Sequence, residues 1–134
     1  MAHNPLVRRQ SRELVLQVLF QKEFIQKDIT TLLNYYKQHF EPGPEVLVYA
    51  QELLIGIEKN LEEIDQIIAA NSAHWELDRM ALVDLNLLRI SVFEIELGQT
   101  APPKVVINEA LEIAKKYGSN DSKAFINGIL DQLY

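Results

Sequence analysis

The feature that most constrains this chain is the spacing of its apolar residues, which recur at intervals of three and four along nearly the whole length. That spacing lines one side of a helix with 3.6 residues per turn. A half-buried strand would need strict alternation, which is hard to find here. Asn4-Pro5 predicts the start of a first helix: an Asn cap, then a Pro with no N–H to lose in the first turn. Its inner stripe reads Val7, Ser11, Leu14, Val15, Val18 and Leu19, with Arg8, Arg9 and Arg12 on another side. Asp28 caps a second helix carrying Ile29, Leu32, Leu33 and Tyr36, and Glu41-Pro42-Gly43-Pro44 breaks the chain. A long helix is expected over Pro44 to Ala70, about 40 Å at ~1.5 Å per residue. Leu77 to Leu97 is apolar on most sides and reads as a central helix closed by Gly98. Pro102-Pro103 opens another, which Gly118 ends as a left-handed cap, and Asp121 or Ser122 caps the last. The expected fold class is therefore all-α: six helices, or seven if Ser72–Arg79 forms a short one, in a single-domain bundle spanning residues 1–134.

Length and composition narrow the chemistry. A chain of 134 residues fits one domain and buries roughly two-thirds of the surface it exposes when unfolded, so it needs no staple. With no cysteine, disulfides, thiolate zinc sites and cysteine nucleophiles are excluded. His3, His39 and His74 lack the spacing of a zinc site and read as solvated. Among five glycines there is neither a phosphate-cradling Gly-x-x-x-x-Gly-Lys nor a dinucleotide-binding Gly-x-Gly-x-x-Gly, and no Gly-x-Ser-x-Gly elbow. No enzymatic activity and no cofactor are expected. No apolar run approaches the ~20 residues of a membrane span, and Met1 to Gln10 lacks the apolar core of a signal peptide, so a soluble cytoplasmic protein is expected.

The charge pattern is uneven. Formal net charge is −6 with a pI near 5.0, which argues against a generic nucleic-acid coat. Yet the first twelve residues carry Arg8, Arg9 and Arg12 and no acid, whereas Glu41 to Asp78 holds many acids and Lys59 as its sole base. Such asymmetry suggests a localised anion site. Guanidinium forks match phosphate oxygens, and three on one exposed turn would suit a nucleic-acid backbone; a merely solubilising cluster is the bland alternative. Lys104, Lys115, Lys116 and Lys123 would extend the patch if the C-terminal helices lay beside the first. Glu62, Glu63, Asp65, Glu94 and Glu96 read as solvated charge on polar faces. Asp84 interrupts an apolar helix; because a buried acid is costly unless paired, it is expected to face out at a gap a partner could reach. Gly128, inside the last helix, points to close packing or to a partner's close approach.

The C-terminal half reads Pro103-Lys104-Val105-Val106-Ile107-Asn108-Glu109-Ala110-Leu111-Glu112-Ile113-Ala114-Lys115-Lys116-Tyr117-Gly118, then Asp121-Ser122-Lys123-Ala124-Phe125-Ile126-Asn127-Gly128-Ile129-Leu130-Asp131. This closely resembles the NusB family of bacterial transcription antitermination factors, whose pattern P-x-K-V-x-I-N-E-A-x-E-x-A-K is followed by S-x-x-F-V/I-N-G-V/I-L-D. Arg8-Arg9-Gln10-Ser11-Arg12-Glu13 running into Val18-Leu19-Phe20, and Leu87-Leu88-Arg89-Ile90 with Glu94-Ile95, agree in order, so the resemblance covers essentially the whole chain. It implies an all-helical bundle of about seven helices and a non-enzymatic role. Proteins of this kind pair with the small-subunit ribosomal protein S10, known here as NusE. The pair binds the boxA element of nascent RNA and helps RNA polymerase read through terminators, chiefly on ribosomal RNA operons. By position, Arg8, Arg9 and Arg12 inherit RNA contact, with Lys104 as a further basic candidate. Ser122, Lys123, Phe125 and Asn127 fall in the motif near the RNA and partner surfaces. Asp84 and Asp121 fall on the side expected to face S10. Asp84-Leu85-Asn86-Leu87 departs from the family by lacking the basic residue that often follows the acid.

Two other readings stand beside this one. NusB-like helical domains also occur fused to ribosomal-RNA cytosine methyltransferases, but no catalytic domain or cofactor loop follows here. A protein-only interaction module becomes attractive if the arginines point inward or pair with Glu13. Some related proteins self-associate, so a homodimer is among the assemblies the resemblance allows.

Overall fold

A computed structural model describes residues 4–72 and 76–134, and among these the regular structure is helical throughout. The α-helices are α1 (Pro5–Lys22), α2 (Ile29–Phe40), α3 (Pro44–Lys59), α4 (Leu61–Ala70), α5 (Leu82–Val92), α6 (Pro103–Tyr117) and α7 (Ser122–Leu133). A single 3-10 turn, Leu77–Arg79, precedes α5, and a π-helical stretch, Phe93–Gly98, continues it. The all-α class read from the apolar spacing holds, with seven α-helices among the described residues. By its contacts the chain divides into two compact units, Met1–Ile55 and Gly56–Tyr134, the division falling inside α3.

The first unit starts as its sequence dictates. Asn4 caps α1 by accepting from the N–H groups of Leu6 and Val7, with Pro5 in the first turn. Asp28 caps α2 by accepting from Thr31 N–H at 2.8 Å. That bond lowers the pKa of its carboxyl, chiefly through the backbone N–H of Thr31. α1 and α2 pack on each other across a six-residue link, 23–28, and a short link makes them antiparallel neighbours. Ser11 is fully buried in this unit; its hydroxyl lies 2.8 Å from the Val7 carbonyl and 3.0 Å from the Val46 carbonyl and can donate to either.

Two expectations about the helices need correction. The single helix over Pro44 to Ala70 is two, broken at Asn60 (φ −118°, ψ 20°). The Asn60 side chain donates to the Gly56 carbonyl at 2.8 Å, offering the backbone a local alternative to the helical ladder. The apolar stripe continues at three and four through the break, which is why spacing could not show it. Gly118 is not left-handed: its backbone is extended (φ −93°, ψ −172°). A Cβ there would collide with the Ser122 side chain, so this glycine is needed for space. Among the described residues the left-handed ones are Glu41 (φ 42°) and Gln99 (φ 51°), which follow α2 and the π stretch.

In the second unit α5 packs on α4, α6 and α7, and α6 packs on α7. Links of four residues, 99–102 and 118–121, make α6 antiparallel to both neighbours. α5 and α7 therefore run the same way, with their N-termini at one end. The Phe93 ring occupies the space where a Cβ on Gly56 would sit and lies against Gly98 as well. The π stretch turns Glu94 fully inward, correcting the expectation that Glu94 lies on a solvated face. Glu96 accepts a hydrogen bond from the hydroxyl of Tyr134; partial burial and this carboxylate together push the Tyr134 pKa up, so the phenol stays neutral.

Candidate nucleic-acid interface

The basic segment lies on α1. At about 100° per residue, the buried positions Ser11, Arg12, Leu14, Val15, Leu16, Val18 and Leu19 span about 200° of the helix, wider than the stripe of Val7, Ser11, Leu14, Val15, Val18 and Leu19 because Leu16 extends the apolar side past Arg12. Arg8 and Arg12, one turn apart, both fall inside that arc, and Arg9 lies just outside it. Arg12 is accordingly buried, with 3% of its surface exposed, which corrects the expectation of three arginines on one exposed turn. Arg8 and Arg9 are half-buried. Arg8 sits nearer the helix start, where the arc loses its cover, and its guanidinium stacks 4.6 Å from the centre of the Tyr49 ring. A guanidinium on an aromatic face gains from the ring quadrupole and keeps its positive charge. This geometry presents cationic groups at half exposure, with Tyr49 fixing the direction of one of them. That suits phosphate oxygens approaching the N-terminal half of α1.

The other expected site residues belong to the second unit. Lys123 and Asn127, at i and i+4, share the exposed face of α7 with Gly128, and a Cβ at Gly128 would meet open space. The packing reading of Gly128 therefore fails within the described residues, and the surface around it is open. Phe125 is half-buried. Ser122 is buried, 1% exposed, because its Oγ turns back to accept from the Ser119 N–H at 2.9 Å; its role is to shape the α6–α7 turn. Asp121 is exposed at the N-cap but its side chain makes no capping bond. Lys104 is exposed at the start of α6, about 20 Å along that helix from the α6–α7 turn, so it does not join Lys123 and Asn127.

Asp84 is found inside rather than facing out: it is 6% exposed in the first turn of α5. Its Oδ1 meets no hydrogen-bond donor among the described residues. The positive end of the α5 dipole favours a carboxylate at this position, which offsets part of the cost of burying it. Asp84 and Asp121 stand at the shared end of the second unit where α5 and α7 begin.

Sequence reasoning missed one polar cluster. Arg89 donates from Nε to Asp65 Oδ1 at 2.9 Å and from Nη2 to Asp65 Oδ2 at 3.0 Å, a bidentate pair joining α5 to α4. Its Nη1 donates to Asn86 Oδ1 at 3.0 Å, and Asn86 Nδ2 donates to the Leu82 carbonyl at 3.0 Å. Asp65 is thus a structural partner rather than a solvated acid. An arginine inside a helix apolar on most sides was the signal, since such a cation needs an acid nearby. Among the described residues no three His, Cys, Asp or Glu side chains come together as metal ligands; His3 and His74 lie outside them. No helix of the described residues is long and apolar enough to cross a membrane.

Comparison with known proteins locates this architecture. The profile of the NusB family matches residues 9–134. The transcription antitermination protein NusB of Bdellovibrio bacteriovorus is 49% identical over 128 residues, covering 94% of this chain and 93% of that protein. A T. maritima NusB structure is 36% identical with a TM-score of 0.86, covering 94% of this chain and 89% of that one. A crystal structure of the antitermination factors NusB and NusE in complex with double-stranded RNA contains a chain 26% identical to this one, with a TM-score of 0.86 and 96% of each chain covered.

Proposed function

Because this chain belongs to the NusB family, we propose that it binds boxA RNA together with ribosomal protein S10 (NusE) and, within the RNA polymerase antitermination complex, supports read-through on ribosomal RNA operons. The observation that carries this reading is the family match over residues 9–134, in a chain whose α1 presents Arg8 and Arg9 at half exposure. The role is binding, without catalysis, and its place is the cytoplasm, where nascent RNA is made. The domain acts as one functional piece over residues 1–134.

Arg8 and Arg9 contact phosphates. Arg12, being buried, holds the base of that surface and reaches RNA only if α1 shifts. Lys123, Phe125 and Asn127 offer a charge, a ring and an amide to unstacked bases, the form in which RNA sequence is usually read. Lys104 adds charge at a separate place. Ser122 acts by setting the turn from which these residues project. Asp121, exposed at the start of α7, offers NusE a carboxylate, and Asp84, buried at the same end of the unit, supports that surface from within and meets a partner's donor only if the start of α5 opens.

A protein-only module has two observations in its favour, the burial of Arg12 and the stacking of half-buried Arg8 on the buried Tyr49 ring. A salt series separates the readings. Labelled boxA RNA is titrated with the chain plus NusE, comparing the parent with an Arg8→Glu, Arg9→Glu double variant of matched helix content. Affinity should fall with salt by roughly 0.7 log units per log unit for each phosphate contacted, and the double variant should bind weakly with a shallower slope. Equal binding by parent and variant would sink the assignment to α1. A parent chain that binds neither RNA nor NusE would sink the function.

A further inference from the structure

α2 loses its cover towards its C-terminus. Its buried face begins with Ile29, Leu32 and Leu33, passes through half-buried Tyr36, and ends at Phe40, which is 62% exposed although it lies on the same line. The Tyr36 and Phe40 rings lie 4.6 Å apart, tilted by 32°. Lys37, three residues before Phe40, is its neighbour on the helix surface. His39 is exposed beside it, and no carboxylate occurs between Asp28 and Glu41. Since α2 runs antiparallel to α1, this end of α2 returns towards the half of α1 that carries Arg8 and Arg9.

We propose that the Phe40 ring, backed by Tyr36 and flanked by Lys37, is a stacking platform for an unpaired base of the RNA. The proposal rests on the RNA-binding reading above and extends it to a helix that reading does not use. Two arguments favour a base over a protein partner. A protein interface needs on the order of 1,000 Å² of buried surface, whereas one aromatic side chain buries roughly 150–250 Å²; a base needs one ring face. The charge within α2 also favours a polyanion that carries π-faces: Lys37 stands beside the exposed ring and the helix holds no acid of its own, the nearest being its C-cap Glu41.

The test uses the full chain with NusE and a labelled boxA RNA with unstructured single-stranded flanks. Phe40→Ala should weaken binding roughly fivefold to a hundredfold while leaving the salt slope unchanged, since stacking releases no counterions. Phe40→Trp should bind as the parent does, and its added indole emission should be quenched by RNA relative to the parent, which carries only Trp75. If the parent binds and Phe40→Ala binds equally tightly, the platform is overturned and the RNA-binding reading survives. If Phe40→Ala loses affinity for NusE and keeps it for RNA, the surface belongs to a protein and the platform is again overturned. If the parent itself fails to bind, both fall together.

Discussion

In the unit Gly56–Tyr134, polar side chains go inside. Arg89 and Asp65 pair bidentately with Asn86 behind them, and Ser91, Glu94, Ser122 and Asp84 are all buried. In the unit Met1–Ile55 the polar groups with a visible job sit mostly at helix ends and edges: Asn4 and Asp28 as caps, Arg8 across the face of Tyr49. Ser11 and Arg12 are its buried exceptions. The difference separates two uses of polarity. A buried network, once satisfied, fixes how helices meet, and it is costly to break because the orphaned partner cannot recruit water. A cap or a half-exposed cation contributes less to stability and keeps part of its surface exposed.

That contrast predicts a ranking. Asp65→Ala strips the carboxylate from Arg89 and should cost about 2–3 kcal/mol, less than a fully buried pair because both side chains keep some exposure. Urea denaturation measures it, and a loss under about 1 kcal/mol would break the comparison by showing that water replaces Asp65. Gly56→Ala comes next. The new Cβ overlaps the Phe93 ring, so overpacking of about 1–3 kcal/mol works against the ~1 kcal/mol that Ala gains over Gly within a helix. A net loss that Phe93→Leu partly restores would locate the effect at that contact; simple additivity would refute it. The smallest effect belongs to Asp28. Its folded-state pKa lies below the ordinary 3.8, so its carboxylate stabilises α2 above that value, and the contribution disappears as pH falls through the lowered pKa. Asp28→Asn keeps an acceptor but no titrating group. Below pH 3.8 the parent should therefore lose slightly more helix on acidification than the variant, as read by circular dichroism. An acid sensitivity rivalling the Asp65→Ala loss would reverse the ranking.

Legibility in the sequence followed the range of the interaction. Asn4-Pro5 and Asp28 were read correctly because a cap bonds to N–H groups two or three residues away. The Asn60 break was missed because a side-chain bond to Gly56 leaves the apolar spacing intact. Arg12 was misplaced because the stripe at three and four leaves out Leu16, which carries the buried arc past Arg12. Asp84 was expected outside on the cost of burying an acid, yet it lies inside with one oxygen lacking a donor among the described residues.

The sequence by itself determined that this protein is helical, where most helices begin, which segment is cationic, and, through the paired C-terminal motifs, its family. Those properties are local or are carried by residue identity in order. Tertiary structure decided which groups are engaged or buried and which keep exposed surface: Arg89 on Asp65, Arg12 inside, Arg8 half-exposed on Tyr49, Phe40 left uncovered. It alone could decide them, because the free energy of a charge or a ring depends on the neighbours that exclude or admit water, and those neighbours come from other helices.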